Sequence, residues 1–517
     1  MSIARNFSPD RRILAFAVVA LLGLMSGCMV GPKYRPPSVP TPVAKNYKES
    51  TVNFQNEPGW KVASPGHAML HGNWWEIFHD PQLNSLEAQL NINNQNIRLY
   101  FENFLQARAL IAEARANFWP TFTTSPSWQR SKASGNLANT FNTGTGASTQ
   151  TSSGQKSTSI TFPFDISWAP DLWGKIRQEV RSAEYGAQVS AADLANEKLT
   201  EQASLAGFYF ELRGQDALID ILKKTVAADQ NAYQVNEGSY KAGVGDYISV
   251  IEARSTLESA QAQLTNLRIA RAQYVHAIAV LIGKSPTDFS LPPNPGFFTP
   301  PPIPVGVPSE LLERRPDIAA AERTLAEANS TIGIGYGAFF PSVMLNAAGG
   351  FQASTFQRWF EWPSRFWSIG PTISQTIFNG WLYRAQLHQY TAIYNADVAS
   401  YRQTVLTAFQ QVEDNLAATR LYSQQIAQQR AALQDAEHYL QLEQVRYQSG
   451  IDPYINVITA QTTVLSEQET LAAIQVNEMT SAVQLIEALG GGWDRSQLPT
   501  PAQVGKKVPK AEFAMEH

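Results

Sequence analysis

The sequence predicts a mainly α protein that also carries four membrane-type β-strands and is built as two copies of one plan. Three observations lead there. Proline-free stretches with apolar residues at helical spacing run very long, Lys175 to Lys241 being the clearest. A few short segments alternate strictly instead. In "STSITFPFDISW", Thr158, Ile160, Phe162, Phe164, Ile166 and Trp168 face one way, and Ser159, Thr161, Pro163, Asp165 and Ser167 the other. Finally, "YKAGVGDYISVIEAR" (240–254) recurs as "YQSGIDPYINVITAQ" (447–461), a shift of 207 residues.

The N-terminus comes first. Arg5, Arg11 and Arg12 precede an apolar run from Ile13 to Met25 and then "SGC", the pattern of a secretory signal over residues 1–27. Cys28 is the one cysteine, so no disulfide can form within the chain. Its position directly after "SG" is similar to a bacterial lipobox, with Met25 where Leu is usual. That similarity implies cleavage before Cys28, acylation there, and sorting to the outer membrane because Met29 follows. Several acyl chains hold a protein on a bilayer stably.

Residues 28–80 begin "CMVGPKYRPPSVPTPVAKNY", too rich in proline for helix or central strand. The segment 81–290 forms the first repeat. "NWWEIFHDPQLNSL" (73–86) leads into a first helix running to about Asn117, and a hairpin over 119–170 follows. Its first strand, Pro120 to Gln129, sets Thr121, Thr123, Ser125 and Ser127 against Phe122 and Trp128, and a Gly/Ser/Thr/Asn-rich loop spans 131–156. Long helices over 175–241 and 247–283 follow, broken at "AGVGDY". The first is roughly 100 Å long at helical rise. A Pro-rich linker (291–308) leads to the second repeat, 309–492, with a hairpin over 340–378 and helices over 382–448 and 453–489. The return strand "FWSIGPTISQTIF" alternates Trp367, Ile369, Ile373 and Ile377 with Ser368, Thr372, Ser374 and Thr376. A tail, 493–517, closes the chain.

Strands of ~10–13 residues span a bilayer when tilted. Lipid offers no hydrogen bonds, so spanning strands survive only in closed barrels. Four strands cannot close one, and several chains must share it. Eight strands leave a side-chain-filled interior, whereas twelve or more leave a lumen. Thr161, Asp165, Ser167 and Thr372 are expected to face that lumen, and the Phe, Ile and Trp residues the lipid. The helices are too long for the bilayer and would extend beyond it.

Bulk composition agrees. Charged residues are 16% and aromatics 11% of the chain, mean hydropathy is -0.23, and net charge is -4. Nothing in that balance points to nucleic acid. No HExxH, GxSxG or Walker loop is present, and the one cysteine has no catalytic partner, which argues against an enzyme.

"GNWWEIFHDPQLNSLEAQL", "LLERRPDIAAAERTLAEAN" (311–329), "IGIGYGAFFPS" (332–342) and "VLTAFQQVEDNLAA" (405–418) resemble the outer-membrane factors, the TolC-like family. The likeness is strongest to its lipoprotein, NodT-type branch serving efflux pumps, and it covers the mature chain. "IFNGW" (377–381) lacks the usual second glycine and upstream proline. The resemblance implies a homotrimer with a shared twelve-stranded β-barrel, a twelve-helix periplasmic α-barrel and an equatorial domain. It implies docking to a periplasmic adaptor (membrane-fusion) protein and an inner-membrane pump of the RND type, with no cofactor. A protein-secretion duct is the alternative within transport; a lipid-anchored coiled-coil scaffold is the alternative outside it.

In resembling channels a gate carboxylate often occupies the slot of Thr459, and another sometimes that of Asn456. Both acids are missing here, and the shift of 207 places Glu252 opposite Thr459. Glu252 is therefore expected to form the acidic ring at the periplasmic tips, supported by Asp246 and Asp452, with Ile455 as an apolar constriction. Helix capping is the competing role for both Asp residues. His67, Met69 and His71 of "HAMLH" are ligand types that suit copper or zinc, but no acid or cysteine completes a set. No metal site is expected there.

Overall fold

The computed structural model describes residues 29–39, 47–49, 72–132, 134, 138–143, 146–151, 156–296, 299–304, 306 and 308–506. The expected signal segment, Cys28, His67, Met69 and His71 lie outside the described residues.

Four long helices dominate: α3 (Lys175–Lys241), α4 (Tyr247–Leu281), α7 (Leu382–Gln448) and α8 (Tyr454–Ala488). The pairs α3/α7 and α4/α8 have 67 and 35 residues each, and both ends of each helix recur at the shift of 207. The shorter helices α2 (Gln95–Ala116) and α6 (Pro316–Gly337) are 22 residues each and recur at 221. The difference of 14 residues sits in the longer first hairpin. Neither of the helix pairs is apolar enough to cross a membrane: among the described residues no helix qualifies. Two further pieces, α5 (Leu311–Arg314) and α9 (Pro501–Val504), are single turns.

The N-terminal helix departs from the expectation of one element. It is split at Asn94 into α1 (Pro81–Asn93) and α2. Asn94 is extended at ψ 125° and its side-chain oxygen accepts from Ile97 N–H at 2.9 Å, capping α2. Its amide donates to Glu201 and to the Leu281 carbonyl at 3.0 and 2.9 Å, so the break is fastened to α3 and α4.

The main sheet is antiparallel and four strand positions wide. β1 (Thr121–Thr124) and β2 (Ser127–Lys132) both pair with β5 (Lys156–Trp168); β5 pairs with β6 (Ser342–Ala353), and β6 with β7 (Arg365–Ser374). The first strand is thus two segments. Pro126 lies at the break and Pro163 opposite it, two residues with no N–H to give the ladder. Thr124 bridges the gap by donating its hydroxyl to the Pro163 carbonyl at 2.7 Å. The expected loop after β2 also differs, because β3 (Ala138–Thr143) and β4 (Gly146–Thr151) pair as a ribbon within it.

The core lies where the helices cross, between sheet and tips. Trp74, Trp75, Leu83, Leu86 and Leu90 pack on Leu205, Tyr209 and Leu212 of α3, Ile278 of α4 and Ile486 of α8. A buried polar network crosses it. Arg213 bonds Asp216 at 3.0 Å and Gln82 at 2.5 Å, Arg271 bonds Asp216 at 2.6 Å, and Asp216 also accepts from Asn294 N–H of the linker. The network joins α1, α3, α4 and the linker, so every charge there is partnered. In "RRPDI", Arg315 grips Asp317 through both nitrogens and gives its third donor to the Ala488 carbonyl at the end of α8.

Candidate functional site

The described site residues singled out in the sequence fall in two places, the sheet and the helix tips. The sheet register separates two faces. Residues paired across neighbouring strands point the same way. Phe122, Ile166, Ala347 and Ile369 form one row, and Phe164, Gly349 and Trp367 another. These large side chains are exposed in the single chain, Trp367 at 80% and Ile369 at 76%. On the opposite face lie Thr121, Ser167 and Asn346 in one row and Thr123, Asp165 and Ala348 in the next. Thr161 pairs with Gln352 and Thr372 with Met344, so all four polar strand candidates share that face. Its hydroxyls bond across strands, Thr121 to Ser167 at 2.7 Å and Asn346 to Thr372 at 3.4 Å. Both edges of the sheet, β1/β2 and β7, lack a partner strand among the described residues.

The tips are two equivalent turns. Gly243 (φ 74°) and Gly450 (φ 71°) sit just past α3 and α7. Val244 N–H reaches the Ser239 carbonyl and Ile451 N–H the Arg446 carbonyl, while each glycine N–H bonds a tyrosine carbonyl, Tyr240 or Tyr447. This is the six-to-one, five-to-two pattern of a Schellman cap, and it requires left-handed backbone at the glycine. Each turn is flanked by a tyrosine pair seven apart: Tyr240 with Tyr247 at 5.2 Å and Tyr447 with Tyr454 at 5.1 Å.

The acids at the tips have different tasks. Asp246 caps α4, accepting from Ser249 N–H at 2.8 Å and from its hydroxyl at 3.1 Å, which holds its carboxyl below the usual range. Asp452 is bound through both oxygens by Arg446, whose hydrogen bonds and charge likewise hold it low. Asp452 thus has its charge matched by Arg446, whereas Asp246 keeps its negative charge while capping the helix. Glu252 makes no ion pair among the described residues, is half-buried on α4, and adds to the shift of Tyr454, which burial first of all pushes up to about 12. Ile455 is exposed.

Three features here escaped the sequence reading. Tyr447 donates to Asn236 at 2.8 Å, tying the second helix pair to the first. Asp229 is 3% exposed, one of its oxygens has no partner among the described residues, and burial pushes its carboxyl up to about 6. Tyr454 is buried beside Ala253 and Val457. The tyrosines were visible in both repeated blocks; the burial of Asp229 was not.

A sequence model of the outer membrane efflux protein family matches residues 82–284 and 307–491. The chain belongs to this family. The toluene efflux pump outer membrane protein TtgC of Pseudomonas putida is 29% identical over 501 residues, 97% of this chain and 99% of TtgC. The solvent efflux pump outer membrane protein SrpC, also of Pseudomonas putida, is 31% identical over 478 residues, 92% and 97% of the two chains. Among solved structures, the outer-membrane channel OprN superposes at TM-score 0.77 with 27% identity, covering 90% of this chain and all of OprN. The efflux protein described here is thus a TolC-like outer-membrane channel, the exit duct of an efflux pump. TtgC and SrpC are outer membrane proteins of efflux pumps, and OprN is an outer-membrane channel.

Proposed function

We propose that three copies of the chain assemble about an axis, β7 of one pairing with β1/β2 of the next. The two unpaired sheet edges carry this reading, since a strand edge left bare in lipid is not tolerated. Four strand positions per chain then give twelve, enough to enclose water. The face of Thr161, Asp165, Ser167 and Thr372 lines the lumen, and Phe122, Trp128, Phe164 and Trp367 face lipid. The helices project into the periplasm and end at a gate where Glu252 forms the acidic ring and Ile455 narrows the passage. Asp246 and Asp452 hold the turns in shape around it.

Acylated Cys28 anchors each chain beside the barrel. Through a periplasmic adaptor the duct serves an RND-type pump, which supplies selectivity and energy. The names of TtgC and SrpC favour small organic compounds as cargo over metals. The test is reconstitution of the purified chain in planar bilayers, with SDS gels of unheated and heated samples. Discrete conductance and a heat-sensitive trimer support the reading; a scaffold anchored by lipid alone would give neither. A deletion strain hypersensitive to solvents and antibiotics identifies organic cargo. Hypersensitivity confined to copper, silver or zinc overturns that cargo and directs attention to His67, Met69 and His71.

A further inference from the structure

At the end of the sheet away from the helices, cations gather on the apolar face. The register sets Trp128 opposite Ile160, Arg130 opposite Thr158, and Lys132 directly opposite Lys156. Across β5, Phe162 is opposite Phe351, and Phe351 is opposite Arg365. All of these lie on the face of Phe164 and Trp367. Arg358 stands in the β6–β7 turn, whose Trp359 and Phe360 rings pack edge-on against Phe162 at 6.2 and 6.1 Å. Against these five cations, the stretches 125–166 and 350–366 hold two acids. Asp165 is on the other face and nearer the helices, which leaves Glu361. Arg130, Lys132, Lys156 and Arg358 make no ion pair among the described residues.

Like charges directly opposite in a strand pair repel, so the Lys132–Lys156 pair is unfavourable without an anion between them. The other end of the sheet is built differently. Where the strands meet the helices, Arg177 is paired with Asp171 at 3.0 Å and Lys175 with Glu179 at 3.9 Å. Cations next to aromatic rings, above an apolar band, suit the boundary between phosphate headgroups and acyl chains.

We propose that this rim binds the phosphorylated glycolipid of the outer leaflet. Its phosphates would sit among Arg130, Lys132 and Lys156, and its acyl chains would run down over Trp128, Phe164 and Trp367. The proposal rests on the membrane-spanning reading above, which puts the helix-distal rim in the outer leaflet. Glycolipid is the occupant favoured over ordinary phospholipid because that leaflet presents phosphomonoesters, whose charge near -2 matches two opposed lysines.

The test uses the purified full chain and the variant R130Q/K132Q/K156Q, all at exposed positions. Binding of diphosphoryl lipid A is measured beside lipid A stripped of its phosphates and beside phosphatidylglycerol vesicles. Each charge near an anionic surface is worth roughly fivefold in binding, so the triple variant is expected to bind diphosphoryl lipid A on the order of a hundredfold more weakly. Half-molar salt should weaken the wild type and leave the variant little changed. Stripped lipid A should bind both proteins alike. Equal affinity of wild type and variant for diphosphoryl lipid A would overturn the proposal, as would phosphatidylglycerol binding as tightly as lipid A. Conductance of both proteins is recorded in parallel. A wild type that forms no channel sinks the membrane-spanning reading itself, whereas normal conductance with unchanged lipid binding sinks the rim alone.

Discussion

Replacing Asp229 by Asn should stabilise the protein at neutral pH and do almost nothing in acid. Asp229 is buried on α3 beside Tyr454, and among the described residues one oxygen lacks any partner and no cation is paired with it. Burial raises its carboxyl from 3.8 to about 6. At about 1.4 kcal/mol for each tenfold change in proton affinity, keeping it ionised inside the fold costs about 3 kcal/mol per chain at neutral pH. The sign follows from proton binding. Between 3.8 and about 6 the folded chain binds more protons at this group than the unfolded chain, so its contribution to stability falls as pH rises through that window. Below the window folded and unfolded chains are both protonated, and above it the full cost is present. Asn has nearly the same shape and no charge. Thermal unfolding of both proteins, followed by circular dichroism at about pH 8 and about pH 4, should show Asp229→Asn melting several degrees higher in the first condition and nearly unchanged in the second. An equal gain at both pH values, or a loss at the higher one, would refute the argument.

Arg213→Met should destabilise the equatorial core by about 3 kcal/mol or more, because it strips the buried Asp216 of one of its two arginines; the urea midpoint reads this. Two glycines at positive φ should respond differently to alanine. A Cβ at Gly490 would lie 2.1 Å from the Arg314 carbonyl oxygen, whereas Gly243 has open space around it, so Gly490→Ala should lower the melting temperature much more than the roughly 1 kcal/mol of backbone strain expected for Gly243→Ala. Glu252→Gln should reduce both conductance and cation preference in bilayers, and unchanged values of both would remove Glu252 from the gate.

The repeated helix–hairpin plan was legible because both of its periods are local. Helical spacing is visible within Lys175–Lys241, strand alternation within Ser157–Trp168, and the shift of 207 in tyrosines and glycines that a tip turn requires. What escaped depends on partners far away in sequence. Asn94 reads as one more helix residue until Glu201 and the Leu281 carbonyl are seen holding its amide. Glu87 reads as a solvated acid, yet it is 0% exposed with both oxygens unpartnered among the described residues, and burial raises its carboxyl well above the usual range. Asp229 stands in "VAADQNAY", where small and polar neighbours conceal the helices that cover it. Pro163 was visible in the alternating strand, but its consequence, the break at Pro126 in the facing strand, needed the register.

The same near-symmetry carries one step further. In a ring of three chains each first repeat meets a second repeat twice, once within its own chain and once across a seam. Inside the chain the contact is Tyr447 to Asn236. The shift of 207 turns Tyr447 into Tyr240 and Asn236 into Glu443. Tyr240 is 46% exposed, and Oε2 of Glu443 is buried without a partner among the described residues. Tyr240 and Glu443 occupy the two positions that the equivalent contact between chains would join, with Glu443 turning its carboxylate to the seam and the phenol donating to it. Bonds of that kind contribute about 1.5–3 kcal/mol. Tyr240→Phe should therefore lower the temperature at which the SDS-resistant trimer dissociates, while Tyr447→Phe, which acts within one chain, should leave that temperature alone. Both should raise conductance, since either bond draws neighbouring helix pairs together at the tip. A Tyr240→Phe trimer that dissociates and conducts like the wild type would mean that the second repeat's contact is not reproduced across the seam.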